Sequence, residues 1–152
     1  MFLKELTELS GVSGCEYEVR NYIKKKLDEI GCEYRTDKVG NVIAHNNGKK
    51  SKTIMVAAHM DEVGLIVSHI DSNGFIKFQA VGGIDNRVLN SKIVEVGENK
   101  IPGVIGSKAV HLMSAEERGT ALPIDKLYID IGSSTKEETE KLVSIGDYIA
   151  FK

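Results

Sequence analysis

The run Thr53-Ile54-Met55-Val56-Ala57-Ala58, followed at once by His59-Met60-Asp61-Glu62, decides the fold class. After its leading threonine the run is apolar without alternation. That suits a strand covered on both faces, since a period of two arises only where one face meets water. It reads as the interior strand of a layered α/β sheet, and such a strand needs a neighbour on each side. In open α/β sheets ligands gather outside the carboxyl ends of the strands, so His59 stands where sites form. A neutral imidazole is a good ligand for zinc or cobalt. A carboxylate two residues on, Asp61, can accept the other ring N–H and fix tautomer and orientation. His59 is therefore the candidate metal ligand and Asp61 its orienter. A structural histidine is the alternative, and His-x-Asp alone does not decide between them. A catalytic zinc keeps three protein ligands and an open position, and a two-metal site needs more. The sequence has no second cluster of that kind. His45, His69 and His111 are scattered and read as surface or packing residues.

Upstream, Phe2, Leu3, Leu6, Leu9 and Val12 recur at helical spacing, with Gly11 as a stop signal. Ser13-Gly14-Cys15-Glu16 has the form of a capping box, and Val19, Tyr22, Ile23, Leu27 and Ile30 share one face until Gly31. A helix of about fifteen residues is expected there. Lys24, Lys25 and Lys26 read as its solvated face near the negative end of the dipole. From Cys32 a hairpin-like pair is expected, with Asn41 to His45 as a strand and Asn46 to Ser51 as an exposed turn.

Downstream, Val63 to His69, Gly74 to Gln79, Lys92 to Val96 and Ile101 to Ile105 are short β-rich runs separated by turn signals. They predict a small barrel or sandwich. Ser114 to Glu117 and Ser134 to Glu137 each open a helical turn, and Gly146-Asp147 introduces a last strand, Tyr148 to Phe151. The chain divides near Val63, into 1–63 and 64–152.

A length of 152 residues allows one ordinary domain or two small ones. With 41% hydrophobic and 28% charged residues, neither a disordered tail nor a membrane protein fits. Lys and Arg number 20 against 22 Asp and Glu, which implies no basic face and no nucleic-acid or anionic-lipid partner. The start, Met-Phe-Leu-Lys-Glu-Leu, carries charges where a secretory signal would be apolar, and no apolar run is long enough to span a bilayer. Cys15 and Cys32 form no disulfide framework and read as reduced thiols in the cytoplasm. Gly82-Gly83 and Gly103-x-x-Gly106 lack the Lys-Ser/Thr ending of a phosphate loop, and Ser107 and Ser133 lack a GxSxG elbow. The adjacent pairs Glu116 with Glu117 and Glu137 with Glu138 point in different directions on a helix, so solvated charge describes them better than a glycosidase pair.

Ala57 to Gly64, together with Glu5 to Gly14, Asp37 to Asn41, Gly82 to Asp85, Ile101 to Lys108, Ile129 to Gly132 and Val143 to Asp147, resembles the M42 family of metal-dependent aminopeptidases. The family includes glutamyl aminopeptidases and proteins labelled endoglucanases. The resemblance implies an α/β chain: 1–63 as the N-terminal part of a catalytic domain, 64–152 as a β-rich, barrel-like inserted domain used for dimerisation. It implies a dinuclear divalent-metal site (zinc or cobalt) that activates water to remove N-terminal residues from peptides. His59 matches the first metal ligand and Asp61 the carboxylate supporting it. Family members run to roughly twice this length. Their bridging aspartate, further ligands and general-base glutamate match no residue here. The resemblance thus implies an N-terminal portion, inactive alone, with peptide substrate in the full-length enzyme and homo-oligomers through the β-rich part. A non-catalytic oligomerisation module and a glycoside hydrolase are the alternatives.

Overall fold

Two helices open the chain, and side chains rather than length hold them together. The computed structural model describes residues 2–46, 48, 52–114 and 119–152. It divides into two units, Met1–Asp61 and Glu62–Lys152. In the first, α1 (Phe2–Thr7) is joined to α2 (Tyr17–Glu29) by the Tyr22 hydroxyl, which donates to Glu5 Oε2 at 2.6 Å. The Phe2 and Tyr22 rings lie 5.7 Å apart, tilted. Lys26 is not simply solvated: its Nζ sits 2.9 Å from Glu29 Oε2 and 5.5 Å from the Tyr22 ring centroid.

The capping box expected at Ser13 to Glu16 does not form. Glu16 is the N-cap of α2 without a side-chain cap bond, and its Oε1 accepts the Gly14 N–H at 2.6 Å instead. α2 begins at Tyr17, so Ser13 stands three residues before the cap position rather than in it.

β1 (Glu33–Thr36) and β2 (Val42–His45) form an antiparallel hairpin, Glu33 opposite His45 and Thr36 opposite Val42. Its turn is set by Asp37, whose Oδ1 accepts the N–H groups of Val39, Gly40 and Asn41 at 3.0, 2.9 and 2.9 Å. Gly40 takes φ +101°, a left-handed backbone that favours glycine, and a Cβ there would displace the Arg20 guanidinium, whose Nη2 would lie 2.6 Å away.

The expected interior strand is a correction. Residues 53–58 form no strand, and Ile54, Met55 and Val56 are 87%, 88% and 91% exposed. Apolar composition records the surroundings a segment is suited to, whereas a strand is made by its ladder. Among the described residues no segment supplies that ladder. The turn expected at Asn46 to Ser51 lies largely outside the described residues.

The second unit is a closed antiparallel barrel. Its strands are β3 (Gly64–Ile70), β4 (Ile76–Val81), β5 (Ile93–Val96), β6 (Ile101–Gly106), β7 (Tyr128–Asp130) and β8 (Tyr148–Phe151), in the order β3-β4-β7-β6-β5-β8. Leu65 and Val67 point inward two apart, but Ile70 is three further on. A bulge between Val67 and His69 changes the parity and returns Ile70 to the interior. Ile129 of β7 stands opposite both Ile76 and Ile105, and all three are essentially fully buried, each burial contributing roughly 1.5–3 kcal/mol. β7 closes the barrel, and at three residues it is too short to show a period in the sequence.

α3 (Lys136–Glu140) is capped as its sequence suggests, the Thr135 side chain accepting the Glu138 N–H. It is pinned by Thr139, wholly buried, whose hydroxyl donates to the Gly74 carbonyl at 2.7 Å. Gly74 has φ +85°, and a Cβ there would meet the Thr135 carbonyl oxygen at 2.8 Å. The helical turn expected at Ser114 to Glu117 falls mostly outside the described residues. No described helix is long and apolar enough to cross a membrane.

Candidate functional site

His59 lies on the extended, unpaired segment rather than at the tip of a formed strand, and local hydrogen bonds orient its ring. Nδ1 is 2.9 Å from the Asp61 carbonyl oxygen and 3.1 Å from Asp61 Oδ1. A carbonyl oxygen and an ionised carboxylate can only accept, so in the neutral ring Nδ1 carries the proton and the Nε2 lone pair is left free. Asp61 stays ionised: the Ser13 hydroxyl first, and the His59 ring after it, hold its carboxyl below the usual aspartate range. The His59 side chain is 85% exposed and that of Asp61 44%, so Nε2 is open to solvent and to an incoming cation.

Around the pair lies a shallow cleft of about 200 Å³ lined by Glu16, Arg20, Gly40, Asn41, His59 and Asp61. Arg20 fixes one wall. Its Nε donates to the Gly40 carbonyl at 2.9 Å, and its Nη2 lies 3.4 Å from Glu16 Oε2. This bridges the first turns of α2 to the Asp37–Gly40 turn. Asn41 Nδ2 donates to Asp37 Oδ2 at 2.8 Å and completes that wall.

His59 and Asp61 are thus brought together. His45, His69 and His111 are exposed. Among the described residues no group of three or more His, Cys, Asp and Glu is placed to hold a metal ion. One imidazole is a ligand and not a ligand set. Cys15 and Cys32 are not joined in a disulfide. Glu137 and Glu138 lie on α3, where Glu138 Oε2 accepts the Ser134 N–H, a capping arrangement.

Sequence reasoning missed Ser13 and Arg20. Ser13 carried a signal that pointed elsewhere, the Ser-x-x-Glu spacing of a helix start. Arg20 carried none, since its partners are a carbonyl twenty residues away and a glutamate one turn back.

In the second unit a cleft of about 390 Å³ is lined by Asn86, Arg87, Asn90, Ser107, Thr120 and Leu122, among others. Beside it Asp85 caps a short 3-10 turn and is clasped by Arg87, whose Nε lies 2.9 Å from each carboxylate oxygen.

The profile of the M42 glutamyl aminopeptidase family matches residues 40–152, and a second profile, AMPT, matches residues 1–21. The lysyl aminopeptidase of Pyrococcus furiosus is 37% identical over 146 residues, which cover 92% of this chain and 41% of that protein. A TET aminopeptidase from a marine-sediment Thaumarchaeota archaeon has the same fold at a TM-score of 0.90 and 35% identity, over 98% of this chain and 43% of its own. The TET1 peptidase of Pyrococcus horikoshii, which can assemble into a tetrahedron or a large octahedral shell, gives 0.87 and 38%, over 99% and 45%. The chain spans less than half the length of the curated relatives it matches. With three quarters of its residues under one family profile, and with α/β elements and a six-stranded barrel that match part of these structures, the chain belongs to the M42 glutamyl aminopeptidase family.

Proposed function

We propose that this chain supplies the first part of the catalytic domain of a dinuclear metal-dependent aminopeptidase, with His59 as a metal ligand and Asp61 as its orienter. Residues 64–152 are its barrel-like inserted domain. The observation that carries the reading is the His59 ring: both acceptors facing Nδ1 belong to Asp61, which leaves Nε2 free at an open cleft. The family implies a divalent metal in its full-length enzymes. The described residues offer that metal one ligand and do not complete a site. Substrate is a peptide with a free N-terminus, bound once the remaining ligands are present. Titrating the chain with Co²⁺ while recording amide spectra tests the assignment. Paramagnetic broadening centred on residues 58–61 and 39–41, lost in His59→Ala, is expected. Broadening centred on His45, His69 or His111 and indifferent to His59→Ala would overturn it.

A second reading, self-association through the barrel, is favoured by Ile93 and Val104. They stand opposite each other in register on the outer face and remain 53% and 47% exposed. A closed barrel offers no strand edge, so copies would meet through such a side-chain face. Light scattering should show an oligomer that Val104→Lys weakens; a monomer at all concentrations would sink this reading.

A further inference from the structure

We propose that the barrel carries a binding groove for an extended, uncharged stretch of peptide, held by the side-chain carboxamides of Gln79, Asn86 and Asn90. The inference goes beyond the reading of His59 and does not depend on it.

The groove is made of two adjoining clefts that share Asn86. One is the cleft of about 390 Å³ beside Asp85; the other, of about 530 Å³, is lined by Ser68, Lys77, Phe78, Gln79, Asn86 and Ile124, among others. Both are of the size that ligand pockets take, roughly 300–1,000 Å³. Ser68 reaches its cleft as the extra residue of the β3 bulge, opposed by no residue of β4, and bulges re-aim side chains in this way.

The cations that line these clefts are already engaged. Arg87 Nε lies 2.9 Å from each Asp85 oxygen, and Lys77 Nζ donates to the carbonyls of Asp125 and Leu127 at 3.2 and 3.0 Å. What remains charged among the described lining residues is the exposed Asp125 carboxylate, which disfavours acidic partners. The amides of Gln79, Asn86 and Asn90 are in the opposite state: among the described residues their side chains have no hydrogen-bond partner. A carboxamide carries donors and an acceptor on one group, the complement of a peptide unit. Because the barrel is closed, it has no strand edge on which a peptide could pair by backbone alone, so the N–H and C=O groups of a bound segment must be met by side chains. Leu122 and Ile124, each packed against the core, give the apolar wall that alternate side chains of an extended segment need.

The probe is the capped hexapeptide acetyl-Ala-Thr-Ala-Thr-Ala-Thr-amide, titrated into the ¹⁵N-labelled chain. Saturable shifts of the side-chain NH₂ resonances of Gln79, Asn86 and Asn90 are expected. Affinity should fall about tenfold in Asn86→Ala, and about tenfold again when alternate backbone nitrogens of the peptide are methylated, the size of a lost hydrogen-bonded pair. Asn99→Ala, in the β5–β6 turn, should leave it unchanged, and a capped hexaglutamate should bind more weakly. If Asn86→Ala does not fold, Gln79→Ala, at an exposed position of β4, gives the same reading. Resonances that do not saturate would overturn the proposal, the amides then being simply hydrated. So would an affinity indifferent to the carboxamide variants or to N-methylation, or tighter binding of the hexaglutamate. His59→Ala should bind the peptide as the wild type does; loss of binding there would place the peptide at the other unit and sink the groove. Failure of Co²⁺ at His59 and failure of the peptide at the barrel are thus read separately.

Discussion

Asp85 shows how much one residue's chemistry can be set by a neighbour two positions away. Its carboxylate receives the Arg87 guanidinium on both oxygens and the Arg87 backbone N–H at 3.0 Å, and its pKa falls from the ordinary 3.8 to about 2. A depressed folded-state value means that whatever the pair contributes is complete above the unfolded aspartate range and disappears as pH falls through about 2. A carbon-detected titration should place the Asp85 midpoint at about 2, and Arg87→Ala should raise it toward the ordinary value. An unmoved midpoint would show that Arg87 is not the cause. Because both side chains are exposed, solvent screening keeps the matching effect on stability small. Thr139 is the opposite case, a wholly buried hydroxyl bonded to the Gly74 carbonyl. Thr139→Val keeps the volume but orphans that carbonyl, which should cost about 1–3 kcal/mol in urea denaturation of the barrel. A change near zero would mean that the carbonyl finds another donor.

At the scale of elements, segment 53–58 separates what a sequence can report from what it cannot. Its apolar run leads to the expectation of a covered strand, yet burial and pairing are properties of neighbours, and Ile54, Met55 and Val56 stand in solvent here. Substituting Val56→Lys should therefore leave stability within about 0.5 kcal/mol, since the side chain is already hydrated. It should also reduce concentration-dependent association by placing a charge on an exposed apolar segment. A loss of several kcal/mol in thermal melting would show that the segment is packed in solution. The barrel was more legible. Turn signals such as Asp71-Ser72-Asn73-Gly74 and β-rich runs located β3, β4, β5, β6 and β8 to within a residue or two, because each strand buries one face and its turns need special backbone angles. The bulge at Ser68 and the three-residue β7 were not legible, as both are defined by the ladders that close the barrel. At the site, His59 and Asp61 could be singled out from their spacing, whereas Ser13 and Arg20 become visible only when the chain folds back on them.

For the whole molecule, the two units differ in how much apolar surface they hide. Val12 and Val19 are the buried apolar side chains described in the first unit, while the second has one continuous core from Leu65 to Ile149. A unit of about 60 residues is marginal even when well packed. Hydrogen exchange should accordingly show strong protection confined to β3–β8, with the amides of 1–61 exchanging through low-cost local opening; uniform protection would contradict this. The same imbalance bears on activity. Hydrolysis by this family's chemistry needs a complete ligand set and a base, and the described residues bring one imidazole with its orienter. Losing a general base alone costs on the order of 10²–10⁴ in rate, and without enough ligands the metal is not held. The pure chain, supplied with Zn²⁺ or Co²⁺, should thus release no measurable chromophore from a panel of aminoacyl p-nitroanilides. Metal-dependent release that disappears in His59→Ala would mean that this chain, alone or through its copies, assembles ligands that its described residues do not bring together.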